Sequence, residues 1–174
     1  MWTKDEIDRY ARHIVLPGVG AQGQAQLKQS SVLVIGAGGL GVPILQYLAA
    51  AGVGRIGIVE MDAVDVSNLQ RQVLYQTDQV GQPKAAVARA RLEQLNPHIQ
   101  IDIYPTQLTS EKALSVLEPY DLVLDASDNF PTRYLVGDAC VLLDKPLVYG
   151  AIHQFEGQVS VFHHRAEPVP PLQG

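Results

Sequence analysis

The apolar residues of this chain fall in short, nearly unbroken runs at 32–35, 56–60, 101–104, 122–125, 147–149 and 158–162. Runs of that length, rich in β-branched residues and apolar at successive positions, predict strands covered on both faces. Between them, 40–51, 84–95, 111–117 and 130–143 mix apolar and polar positions with helical spacing and predict helices. Pro83 stands where a first-turn proline is tolerated, and Asn96-Pro97 ends the helix that begins at Lys84. Alternation of strand and helix from Ser31 onward predicts an α/β fold, a Rossmann-like doubly wound, mostly parallel sheet with helices on both faces. Ahead of it, Thr3-Lys-Asp-Glu6 reads as a capping box for a helix through Ile7, Tyr10, Ala11 and Ile14 that ends near Leu16-Pro17-Gly18. A second short helical piece is predicted at 23–29.

Composition narrows the class. The 174 residues suffice for one domain with a sizeable core, and 47% apolar with 18% charged residues is a globular balance. A net charge of −5 argues against nucleic acid as a partner. No apolar run approaches the ~20 residues of a membrane span, and the polar start Met1-Trp-Thr-Lys-Asp-Glu6 is unlike a signal peptide. No membrane association and a cytoplasmic location are therefore expected. Cys140 is the single cysteine, which excludes an internal disulfide and a four-cysteine zinc site; mid-helix among apolar neighbours, it is expected to be a buried thiol. His163 and His164 would point to opposite strand faces, and His13, His98 and His153 stand alone, so none forms a metal pair.

The candidate chemistry lies between residues 32 and 129. Gly36-Ala-Gly-Gly-Leu-Gly41 follows a predicted strand and opens a predicted helix, with Glu60 nineteen residues beyond Gly41 at the next strand's end. In that context the glycines make a tight turn, let backbone approach phosphate and let helix pack on strand, while the acid takes a ribose. Glu60 is the expected ribose ligand; Asp62 is read either as a second ligand or as a cap of the following loop. Arg71 and Lys84 follow closely. Fixed cations there suit phosphoryl or nucleotidyl transfer, which must offset charge on non-bridging oxygens, better than hydride transfer. A lysine in a helix's first turn also opposes the helix dipole, which favours a functional reason for Lys84. Asp125-Ala-Ser-Asp-Asn129 follows the fourth strand, where Asp128 would face the same crevice. Asp128 is a candidate magnesium ligand, and Ser127 or Asp128 a candidate cap for the helix from Phe130. Three segments result: an N-terminal helical extension at 1–30, a nucleotide-binding domain at 31–165 and a proline-rich tail at 166–174.

Taken together, Arg9-Tyr-Ala-Arg12-His-Ile14, the glycine loop, Ser67-Asn-Leu-Gln-Arg-Gln72, Val80-Gly-Gln-Pro-Lys84, Asn96-Pro97 and Asp125-Ala-Ser-Asp-Asn129 resemble the ThiF/MoeB/HesA family, bacterial relatives of the ubiquitin-activating enzymes. The resemblance covers about residues 5–163. It implies an adenylyltransferase in which the C-terminal Gly-Gly carboxylate of a ubiquitin-fold sulfur carrier attacks the α-phosphate of Mg-ATP, as in molybdopterin or thiamin biosynthesis. By position it implies a nucleotide site at Gly38, Gly39, Glu60, Ser67, Asn68, Leu69, Gln70, Arg71, Lys84, Asp128 and Asn129. Arg71, Lys84 and Asp128 would be catalytic, with Asp128 on magnesium. Arg12 would act in the neighbouring subunit's site of a homodimer. Family members usually continue into a region with two Cys-x-x-Cys pairs; this chain carries neither, so zinc and a thioester or persulfide step are not expected in it.

Two other classes remain as expectations to test. One is a catalytically impaired, nucleotide- or partner-binding fragment of the same family. The other is a nicotinamide-dependent oxidoreductase sharing only the glycine fingerprint, which leaves Ser67–Gln72 and Lys84 unexplained.

Overall fold

The computed structural model describes residues 2–162. Chain order is α1 (Lys4–Ile14), α2 (Gly20–Gln29), β1 (Ser31–Ile35), α3 (Gly41–Ala51), β2 (Arg55–Val59), α4 (Lys84–Leu95), β3 (Gln100–Tyr104), α5 (Ser110–Leu117), β4 (Leu122–Asp125), α6 (Phe130–Leu142), β5 (Leu147–His153) and β6 (Glu156–Phe162). One six-stranded sheet runs in the order β3-β2-β1-β4-β5-β6. Its first five strands are parallel, and β6 returns antiparallel to β5. The expected α/β class and doubly wound sheet are therefore observed. His163, His164, the end of the 31–165 segment and the tail at 166–174 lie outside the described residues.

The period-2 alternation of the strands divides the core between the two faces. Val32 and Val34 pack with Leu45, Ile56, Ile58 and Leu92 on the side of α3 and α4. Leu33 and Ile35 pack with Leu117, Val123, Val136 and Cys140 on the side of α5 and α6. Burial pushes the Cys140 thiol up to about 11, as its apolar setting requires. The strand order reverses between β1 and β4, so the chain diverges there and leaves a crevice at the carboxyl ends.

The helical extension sits at the opposite, amino end. Thr3 and Glu6 form the expected capping box. Tyr10 is buried against Gly52, where φ is +85° and a Cβ would come within 2.6 Å of the phenol ring. Asn96 Nδ2 donates to the Tyr10 hydroxyl (2.8 Å) and to the Ala49 carbonyl (2.7 Å), tying α1, α3 and α4 together. Buried Glu6 accepts from Lys28 Nζ at 2.5 Å, fastening α1 to α2.

Three local expectations are corrected. α2 starts at Gly20, three residues early, because Gly18 (φ +85°) and Gly20 (φ +60°) supply the turn into it. Pro83 caps α4 with ψ 123° and lies outside the first turn. β5 and β6 are longer than their apolar runs because they pair as a hairpin across Gln154-Phe155, with Gln154 at φ +54°.

The Lys28 ammonium, then the Thr3 N–H, hold the Glu6 carboxyl down from 4.5 to about 2. A depressed carboxylate stabilises the fold above its unfolded pKa, and that contribution is lost as pH falls from about 4.5 toward 2. Glu6→Gln should therefore be less stable than the parent at neutral pH, with the gap closing across that window in urea unfolding. A gap independent of pH would contradict this role for the pair.

Candidate nucleotide cleft

The carboxyl ends of β1, β2, β4 and β5 open into a cleft of about 630 Å³. Its floor is the glycine loop. Gly36 has φ +92° and donates its N–H to the Val59 carbonyl (2.9 Å), locking the ends of β1 and β2 together. Gly41 lies so close to the Gly36 carbonyl that a Cβ would meet it at 2.0 Å. That approach seats α3 on β1 and aims its N-terminus at the cleft. No side chain caps α3, so first-turn N–H groups and the positive end of the helix dipole remain for an anion.

Glu60, just past β2, holds the loop. Its carboxylate accepts from the Ala37 N–H and the Asp62 N–H, each at 2.9 Å. A carboxylate offers about four lone-pair sites, so two remain open to a ligand. Tyr75 Oη donates to the Ala37 carbonyl at 2.8 Å, and burial pushes its phenol well up, keeping it a donor.

The crossover after β2 supplies one wall. Asp65 Oδ1 accepts from the Ser67 N–H (2.7 Å) and hydroxyl (2.5 Å), turning the chain at Val66–Asn68. These two bonds hold the Asp65 carboxyl below its usual range. Arg71 follows, its Nη1 donating to the Ser67 carbonyl (3.3 Å) and Gln70 Oε1 (3.2 Å). Lys84 is 4% exposed, with Nζ 3.5 Å from Asp62 Oδ2, and its N–H donates to the Asp62 carbonyl at 2.9 Å. Asp62 thus partners Lys84 through both backbone and side chain. Nζ makes no hydrogen bond among the described residues, so a buried ammonium faces the cleft with its donors unspent.

The loop after β4 supplies the other wall. Asp125 Oδ1 accepts from the Ser127 N–H at 2.9 Å. The cap of α6 is Asn129, whose Oδ1 accepts from the Thr132 N–H at 3.0 Å. The expected cap at Ser127 or Asp128 is therefore corrected to Asn129. Relieved of capping, the exposed Asp128 carboxylate makes no hydrogen bond or ion pair among the described residues. An unpaired oxygen donor suits magnesium, which arrives with phosphates and needs one or two carboxylates. Among the described residues no group of three or more His, Cys, Asp or Glu is placed to hold a metal ion by itself.

Of the sequence-predicted residues, Gly38, Gly39, Glu60, Asn68, Arg71, Lys84, Asp128 and Asn129 line this one cleft. Ser67, Leu69 and Gln70 do not: Ser67 serves Asp65, Leu69 packs into the core and Gln70 braces Arg71. Arg12 is exposed on α1 at the amino end of the sheet and does not line the cleft of its own chain. Sequence reasoning passed over Tyr75 and Arg133, and gave Gln72 no role of its own. Four buried polar atoms around the cleft lack a hydrogen-bond partner among the described residues: Gln72 Oε1, Asp125 Oδ2, Ser127 Oγ and Arg133 Nε. Unsatisfied buried groups are rare enough that a cluster marks a site built for something else.

The ThiF family pattern matches residues 10–170. Over 173 residues the chain is 69% identical to the sulfur carrier protein adenylyltransferase of Thermus thermophilus, covering 99% of this chain and 62% of that protein. It is 55% identical to the adenylyltransferase and sulfurtransferase MOCS3 of Anopheles gambiae, covering 95% of this chain and 38% of that one. Among solved structures, E. coli tRNA N6-threonylcarbamoyladenosine dehydratase in complex with ATP superposes with a TM-score of 0.82 at 27% identity, over 87% of this chain and 62% of that one. The chain thus spans between about two fifths and three fifths of these proteins.

A Cβ at Gly39 would lie 3.4 Å or more from the Arg71 side chain, an ordinary contact. Gly39→Ala should leave thermal stability unchanged yet weaken Mg-ATP binding about tenfold, ~1.4 kcal/mol, by keeping phosphate off the backbone. Titration calorimetry with parent-like affinity would remove Gly39 from the site.

Proposed function

The chain belongs to the ThiF family, and on that premise we propose that its cleft adenylates the C-terminal carboxylate of a protein substrate at the expense of ATP. The observation that carries the proposal is the charge arrangement. Arg71 and buried Lys84 stand on one wall, the free carboxylate of Asp128 on the other, and the uncapped start of α3 lies between. In this reading Glu60 takes the ribose hydroxyls, and the glycine loop with Gly38 and Gly39 admits the phosphates to backbone N–H groups. Asn68, Arg71 and Lys84 draw the β- and γ-phosphates to their wall.

The reaction is a substitution at the α-phosphorus. A carboxylate oxygen forms a bond to phosphorus, the bond to the α,β-bridging oxygen breaks, and pyrophosphate leaves with that electron pair. Arg71 and Lys84 stabilise charge growing on the leaving group, an effect largest where the donors are already fixed. Asp128 would hold magnesium, which supplies further neutralisation of phosphate charge.

The finer reading is a ubiquitin-fold sulfur carrier ending in Gly-Gly as the substrate, of the molybdopterin or thiamin type. The relatives named for sulfur-carrier adenylylation support it. A homodimer would bring the partner copy's Arg12 to the phosphates, and the exposure of Arg12 leaves it available for that. The division at 1–30, 31–165 and 166–174 is kept as extension, adenylation domain and tail. A cytoplasmic enzyme without zinc in these residues completes the proposal; no helix among the described residues is long and apolar enough to cross a membrane. A second reading is nucleotide binding without turnover.

Carrier-dependent exchange of pyrophosphate into ATP separates the two readings, since only adenylation is reversible in this way. Arg71→Ala and Lys84→Ala should each cut exchange several hundred-fold, on the order of 3–4 kcal/mol, with modest change in ATP affinity. Parent rates in both variants would take these cations out of the mechanism.

A further inference from the structure

The cleft is lined by three cations, and the third has no place in the scheme above. Arg71 and Lys84 share the crossover wall; Arg133 stands alone on the α6 wall beside Ser127 and Asp128. Its guanidinium is held in place. Nη2 donates to the Ser127 carbonyl at 3.0 Å, and the guanidinium carbon lies 5.5 Å from the Phe130 ring centroid and 5.3 Å from that of Tyr149. Both distances suit attraction between a cation and a ring face. Nε is buried with no partner, and the neighbouring Ser127 Oγ is likewise buried and unpaired. A fork of five donors is thus immobilised at the cleft with most of its capacity unspent.

The geometry of substitution says what belongs there. Glu60 follows β2, the glycine loop follows β1, Ser127 and Asp128 follow β4, and Ile152 lies on β5, so the cleft crosses four adjacent strands. At about 4.8 Å per strand that is about 14 Å, wider than ribose and α-phosphate need. A leaving pyrophosphate drawn toward Arg71 and Lys84 requires the attacking group to come in line from the opposite side, which is the wall of Asp128 and Arg133. An anionic nucleophile entering there needs a fixed cation to hold it, and Asp128, the acid of that wall, cannot serve. Arg133 is the one cation of that wall among the described residues. A planar guanidinium also matches a carboxylate in two-point geometry, which a lysine does not.

We propose that Arg133 is the carboxylate-binding residue of the acyl substrate, fixing the attacking C-terminal carboxylate on the β4–β5 side of the cleft while Arg71 and Lys84 serve the phosphates. This rests on the adenylation reading, and its test is a binding measurement that needs no turnover. The probes are a ubiquitin-fold carrier ending in Gly-Gly with a free carboxylate, and the same carrier ending in an amide. Each is titrated into the chain with Mg-ATP absent, using the parent, Arg133→Ala and Arg133→Lys, with melting temperatures recorded for all three. The parent should bind the carboxylate form at least tenfold more tightly than the amide form. Arg133→Ala should bind the two forms alike, and Arg133→Lys should recover part of the difference through its charge. In the exchange assay Arg133→Ala should raise KM for the carrier at least tenfold and leave KM for Mg-ATP within about twofold.

A parent that does not distinguish carboxylate from amide overturns the proposal. So does an Arg133→Ala variant that still distinguishes them, or one whose KM rises for Mg-ATP and not for the carrier. Discrimination lost in Arg133→Ala, in a parent that shows no exchange, would uphold the carboxylate site and refute the adenylation reading instead.

Discussion

α3 can point its N-terminus into the cleft only because Gly41 rests against the Gly36 carbonyl, where a Cβ would come within 2.0 Å. Much of the site depends on that approach. It lets the helix start directly above the end of β1, and it places the uncapped first turn where an anion can reach it. Gly36 adds the second half of the constraint: at φ +92°, with the Ala126 carbonyl 3.0 Å from where its Cβ would be, it lets the chain turn within contact of the loop that follows β4. The two strands on either side of the switch point therefore deliver their loops to one place. Glu60 then fastens the turn from the β2 side through the Ala37 N–H.

Charge is distributed over this frame in a way that packing alone does not call for. Burying a lysine is costly unless the ammonium is paired, and Lys84 has a half-exposed Asp62 at 3.5 Å and the more distant charge of Asp65 for countercharge. The arrangement keeps the cation in place while leaving its donors unsatisfied, a state that phosphate oxygens would complete. Asp128 is the mirror case: an acid that the capping of α6 by Asn129 leaves without work in the fold. Arg133, stacked on two rings and bonded to a carbonyl, is rigid but unspent. Each of the three is cheapest to explain as one half of an interaction whose other half is a ligand.

Much of this was legible in the sequence, and the limits have physical causes. The apolar runs located β1 to β4 within a residue, and the capping box and Lys84 marked helix starts, because these signals are local. The antiparallel return of β6 was not readable: a short apolar run does not say which way a strand points, and the turn depends on Gln154 accepting positive φ. Asn129 displaced Ser127 and Asp128 as the cap because all three are good cap residues and only the φ,ψ path of the loop chooses among them. The glycine fingerprint by itself left a nicotinamide enzyme open; the family match over residues 10–170 removes that reading. Arg133 escaped notice because its meaning lies in contacts across the sheet, with Ser127 before its helix and Tyr149 on the next strand, which no spacing rule encodes.

The central claim is that this cleft joins the α-phosphate of ATP to a carboxylate. The most direct measurement follows label from ATP, marked either at the α- or at the γ-phosphate, onto a Gly-Gly-ended ubiquitin-fold carrier incubated with the chain and magnesium. The account predicts that α-label becomes attached to the carrier and γ-label does not, and that an amide-ended carrier takes up neither. Transfer of γ-label, or no transfer of α-label by a chain that binds both Mg-ATP and the carrier, would contradict it.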